Sequence, residues 1–169
     1  MVRFINKCSR LVDIVFTPLT LGFLVLLVVS CLAQVFTRYV LNASLPWTEE
    51  VARYCFIWTN MLGAAVLTKR KKHAVIDFMV KNLSGLKKRT HEAALCVITM
   101  MSAGVLIYQS ILLLPVVAMQ ISPGTGLPMS YVYLSVPVGS AGIFIHMLSD
   151  FFDAVFPPKE NTQPQGGVA

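Results

Sequence analysis

Two long stretches without a charged side chain decide what this chain can become. From Ile14 to Thr37, and again from Ala93 to Ser149, there is no Asp, Glu, Lys or Arg. The first run is about 24 residues, and as an α-helix it extends about 36 Å, enough to cross a hydrocarbon layer of about 30 Å. The second, of about 57 residues, is too long for one crossing and fits two joined by a turn. Ser122-Pro123-Gly124-Thr125-Gly126-Leu127-Pro128 supplies that turn, because its Pro and Gly residues interrupt a helix.

A further span is expected between these runs, over residues 45–68. Pro46 suits a first helical position, and Glu49 and Glu50 fall where the helix dipole favours negative charge. Its apolar stretch begins only at Tyr54, so the turn carrying Glu49, Glu50 and Arg53 is expected at the membrane interface. The pattern predicts an all-α integral membrane bundle of four transmembrane helices, with spans at about residues 14–37, 45–68, 93–119 and 129–152. Composition agrees: 56% of the 169 residues are hydrophobic and 13% are charged, against about a quarter charged in soluble domains. One membrane domain is expected over residues 1–157, followed by a Pro, Gln and Gly rich tail at 158–169 that reads as disordered. Pro18 and Pro137 fall inside spans, where kinks are expected.

The basic residues report topology. The net charge is +6. Arg3, Lys7 and Arg10 precede the first span, and Lys69 to Lys72, Lys81 and Lys87 to Arg89 flank the loop after the second. The turn between spans three and four has none. By the positive-inside rule both termini and the long loop are expected in the cytoplasm. Apolar residues recur at helical spacing from Phe4 to Phe16 and from Ile76 to Leu86, with basic residues between them. Such segments are expected to lie along the cytoplasmic surface, against lipid headgroups. Nucleic acid is excluded as a partner, since the basic residues flank apolar spans and no recognition module is present. The N-terminal apolar run is longer than a signal peptide core and is expected to stay uncleaved.

The chemistry within the spans is sparse. Cys8, Cys31, Cys55 and Cys96 form no CxxC pair and read as small apolar residues. Gln34, Asn60, Gln109 and His146 are the polar groups at membrane depth. Asn60 and Gln109 suit interhelical hydrogen bonds. A self-sufficient carrier needs intramembrane ionisable groups or broken helices, so an accessory role is expected, with no catalytic group, metal site or cofactor. The competing reading is a small electron-transfer subunit in which His91 and His146, at a similar depth, hold a haem.

One cluster of motifs is more specific. Arg38-Tyr39-Val40-Leu41-Asn42 and Leu45-Pro46-Trp47-Thr48-Glu49-Glu50-Val51-Ala52-Arg53 are followed by Leu62-Gly63-Ala64-Ala65, His73 to Phe78, Leu127-Pro128-Met129, Tyr133 and Pro137. In order and spacing, over residues 11–152, they resemble the small membrane subunit of tripartite ATP-independent periplasmic (TRAP) transporters, the DctQ type. That resemblance implies a separate large subunit that binds substrate and sodium and moves like an elevator. It also implies a periplasmic substrate-binding protein that delivers an organic anion, such as a C4-dicarboxylate or sialic acid. Ile76-Asp77-Phe78 resembles the sialic-acid members. The polar tail implies that the large subunit is a separate polypeptide.

The residues expected to meet partners follow from these readings. Trp47 suits a headgroup belt, and Glu49 and Arg53 are spaced for an ion pair beside Glu50. Gly63, Ala64 and Ala65, and Gly139 with Gly142, form two small-residue patches that permit close helix approach.

Overall fold

The computed structural model of the chain describes the backbone of residues 2–43, 45–80 and 86–155. Among the described residues five helices follow one another: α1 (Val2–Tyr39), α2 (Pro46–Val80), α3 (Leu86–Ala118), α4 (Ser130–Tyr133) and α5 (Ser135–Val155). α1, α3 and the joined α4 and α5 are each long and apolar enough to cross a membrane. α2 has the length, but its apolar centre lies between Glu49, Glu50 and Arg53 at one end and a lysine-rich stretch at the other. It packs most extensively along α1 and then along α5, so it crosses as a member of the bundle.

α5 is the shared wall, against which α1, α2 and α3 all rest. Most of the apolar core comes from α2, where Leu62 and Ala65 are wholly buried and Ala52, Tyr54, Cys55 and Val66 nearly so. α1 and α3 turn their large apolar residues outward, Val25, Leu32, Ile98 and Val105 among them. In lipid this costs nothing, because acyl chains are as apolar as leucine. Close contact between α2 and α5 depends on glycine: a Cβ at Gly139 would lie 2.7 Å from the Met61 carbonyl oxygen. Between α1 and α2, Phe23 and Trp58 stack with ring centroids 5.3 Å apart.

Several expectations are refined by the structure. The amphipathic stretch from Phe4 to Phe16 is the first part of a continuous α1 rather than a separate surface helix. Its polar residues are tied to the bundle: Ser149 donates to Asn6, Ser9 bonds His146, and Lys69 donates to the Ser9 carbonyl. The second such stretch is split, with Ile76 and Met79 on the backbone of α2 and Leu86 opening α3. Residues 81–85, the side chains of residues 71–93 and the tail at 156–169 lie outside the described residues.

Pro18 and Pro115 lie inside α1 and α3. Pro137 is in the first turn of α5, where a missing N–H is no loss because the first four have no helical partner. Leu134, between α4 and α5, keeps helical dihedral angles and donates its N–H to the Ser130 carbonyl at 2.9 Å. The turn after α3 is a tight hairpin. Ser122 and Met129 donate their N–H groups to the carbonyls of Leu127 and Gln120 at 3.0 and 2.9 Å. Gly126 supplies a φ of 70°, a conformation that favours glycine. Cys8, Cys31, Cys55 and Cys96 form no disulfide among the described residues; Cys55 and Cys96 are buried and Cys31 is exposed.

Candidate functional site

Two clusters of polar side chains lie at opposite ends of the bundle. At the hairpin end, the first turn of α2 aims Glu50 at the loop between α3 and α4. The Gly124 N–H donates to Oε1 at 2.9 Å, and the Thr125 N–H and hydroxyl donate to Oε2 at 2.8 and 3.1 Å. The Ser122 hydroxyl also donates to Oε2. Tyr54, one turn further along α2, places its hydroxyl 2.6 Å from Ser122 Oγ. Donors on both oxygens favour the ionised carboxylate. The loop closes tightly over it, since a Cβ at Gly124 would lie 2.8 Å from Glu50 Cδ. One acidic side chain therefore clasps the hairpin to the start of α2.

At the opposite end, where the long loop leaves α2, four groups meet from three helices. Ser9 Oγ lies 2.8 Å from His146 Nδ1, joining α1 to α5. Lys69 Nζ of α2 donates to the Ser9 carbonyl at 3.1 Å and lies 4.0 Å from Asp13 Oδ2. His146 Nε2 and Asp13 Oδ1 are buried without a partner among the described residues. His146 is only 1% exposed, enclosed by this chain's own helices, so it presents no face to a porphyrin. His91 has its side chain outside the described residues.

The residues expected to meet partners separate into three groups. Trp47, Glu49 and Arg53 are exposed, and Arg53 donates to Glu49 at 3.2 Å. That pair is solvent-accessible on both sides and contributes little to stability. Gly63 and Ala64 face a groove between α1 and α2, with Ala64 exposed. Ala65, Gly139 and Gly142 are buried inside the chain, and Glu50 is engaged by the hairpin. A Cβ at Gly142 would lie 2.5 Å from the Phe16 ring and 3.1 Å from Ala65 Cβ. The patch on α5 is thus filled by α1 and α2, while the outer part of the patch on α2 stays open.

The spacing of Glu49 and Arg53 pointed to their ion pair, whereas the hold of the hairpin on Glu50 was not among the expectations. The signal was present in the Ser, Gly and Thr of the hairpin, a compact set of donors for an acid. The bond between Ser9 and His146 had no such signal, because those residues are far apart in the chain. Asn60 and Gln109, expected to bridge helices, make no interhelical hydrogen bond among the described residues. Asn60 is exposed and donates to the Phe56 carbonyl of its own helix at 2.8 Å, and Gln109 is also exposed.

Comparison with known proteins gives this arrangement a context. The family model described as tripartite ATP-independent periplasmic transporters, DctQ component, matches residues 26–156. A putative TRAP transporter small permease protein of Haemophilus influenzae is 30% identical over 83 residues, 49% of this chain and 47% of that protein. The sialic acid TRAP transporter small permease protein SiaQ of Vibrio cholerae is 31% identical over 74 residues, 44% of this chain and 43% of its own length. A 48-residue stretch, 28% of this chain, is 38% identical to part of the sialic acid TRAP transporter permease protein SiaT of Haemophilus influenzae, and covers 8% of that longer chain. The matched stretches thus span about half of the two small permeases and a small part of the large one. The family match runs from the middle of α1 through the hairpin to the end of α5, and on that extent the chain belongs to the DctQ component family of TRAP transporters.

Proposed function

We propose that this chain braces a separate large permease, which carries the substrate and sodium sites and moves while this subunit stays fixed. The observation that supports this reading is the direction of its inner charges. Glu50 is held by the chain's own hairpin, and Lys69 by Ser9 and Asp13. These groups fasten helices to one another, as a rigid support requires. The apolar faces of α1 and α3 point outward, where lipid or a partner covers them. In this reading the chain contributes no catalytic group and no cofactor.

The cargo is an organic anion delivered by a periplasmic binding protein. Sialic acid is the first candidate because relatives in the match carry it in their names, with a C4-dicarboxylate the alternative. The basic ends of α1 and α2 favour a bacterial inner membrane placement, with both termini and the loop between α2 and α3 in the cytoplasm. The exposed Glu49, Arg53 and Trp47 then lie on the periplasmic side, where the binding protein docks.

The test is uptake by proteoliposomes holding the large permease, with and without this chain, under a sodium gradient and with loaded binding protein. Radiolabelled sialic acid and a C4-dicarboxylate are assayed in parallel. Uptake of one anion only when both membrane chains are present is the expected result. Uptake by the large permease alone at the full rate would remove the need for a brace. Transport by this chain alone would make it a carrier in its own right.

A further inference from the structure

α2 is the long helix whose composition least suits contact with lipid. Its outward side forms one wall of a groove of about 510 Å³, and α1 forms the other. Within this groove Thr17 and Thr20 of α1 face Thr59, Asn60 and Arg70 of α2. Asn60 sits about ten residues, or about 15 Å, from Arg70 along the helix, which places its amide well inside the hydrocarbon layer. One amide N–H is used by the Phe56 carbonyl, and the amide oxygen accepts no bond among the described residues. An amide facing acyl chains forgoes a hydrogen bond that a neighbouring helix would supply.

Two other grooves between helices are smaller and have bulky walls: one of about 320 Å³ between α3 and α5, lined by Val97, Met101, Phe144, Leu148 and Phe151, and one of about 250 Å³ lined by Leu106, Gln109, Leu113, Tyr133 and Val136. In the groove between α1 and α2, Gly63 and Ala64 lower the wall at the level of Asn60, so that a helix backbone can come close. One 48-residue stretch of this chain is similar, at 38% identity, to a small part of a longer permease chain, SiaT. We propose that the groove between α1 and α2, around Thr17, Leu21, Thr59, Asn60, Ala64 and Leu67, seats one transmembrane helix of the large permease, with Asn60 as its hydrogen-bonding anchor. This rests on the bracing role proposed above and adds the surface through which bracing acts. Arg70, whose guanidinium donates to Thr17 Oγ1 at 3.3 Å, marks the loop-end mouth of the groove.

The experiment co-expresses this chain with its large permease and isolates the pair in nanodiscs. Leu67 and, separately, Leu106 are replaced by the photo-crosslinker benzoylphenylalanine. Both are exposed on different faces, so neither substitution disturbs the core. An adduct with the large permease from position 67 is expected at least about fivefold above that from position 106, and Asn60→Leu should weaken retention of the permease by about threefold to tenfold. An equal or stronger adduct from position 106 overturns the assignment of the groove, while leaving the bracing role standing. So does an adduct from position 67 with a second copy of this chain, or with lipid alone. Unchanged retention by Asn60→Leu removes the anchor. If the wild-type chain does not hold the large permease at all, the bracing role fails and the groove with it.

Discussion

The two small-residue patches, Gly63 to Ala65 on α2 and Gly139 to Gly142 on α5, have similar compositions and opposite fates. The patch on α5 is closed: Gly139 and Gly142 meet the Met61 backbone, Phe16 and Ala65, and Ser140 is 1% exposed. The patch on α2 is split across its helix, with Ala65 wholly buried, Gly63 at the groove wall and Ala64 exposed. Small side chains let helices approach in a membrane, but the approach is already made at one patch and still available at the other. A substitution on α5 therefore acts on the fold of this chain, and one on α2 acts on what the chain meets.

The largest effect should come from enlarging the closed patch. Gly139→Leu drives a side chain into the Met61 backbone, and Gly142→Leu into the Phe16 ring. Overpacking of this kind costs about 1–3 kcal/mol or more, and neither variant should run as a single species in size-exclusion chromatography. Partial rescue of Gly142→Leu by Phe16→Ala would tie the loss to that contact. A fully folded Gly139→Leu protein would show that α2 and α5 are not held this close.

A smaller effect is expected at the hairpin. Gly124→Ala brings a methyl group within contact of the Glu50 carboxylate and should loosen the clasp without separating α2 from α5. Limited proteolysis should then cut near residue 124 faster than in the wild-type chain, with helical circular dichroism unchanged. Cleavage at the wild-type rate would mean that the loop adjusts without releasing Glu50.

The smallest effect belongs to the open patch. A Cβ at Gly63 meets only Thr20 Cγ2 at 3.6 Å, an ordinary contact. Gly63→Ala should therefore stabilise the isolated chain by about 0.5–1 kcal/mol through helix propensity, raising Tm by about 1–4 °C. A fall in Tm would place Gly63 in an internal contact like that of Gly142.

Much of the architecture was legible in the chain itself. The charge-free runs determined that helices cross a membrane, because nothing but a helix or a closed barrel satisfies its backbone there. Pro46, the interfacial acids and the Gly and Pro residues after α3 determined where α2 begins and where the hairpin turns. The order of short motifs pointed to the family. What the helices do to one another was not legible, because periodicity identifies an apolar face without saying which helix covers it. In a membrane the ambiguity is greater, since a face turned to lipid and a face turned to protein are equally apolar. Only the tertiary structure brought Ser9 to His146 and set Glu50 in the hairpin. Only the packing of α1, α2 and α5 closed Gly142 and left Ala64 open, since the same small side chains serve either purpose until a neighbouring backbone occupies the space beside them.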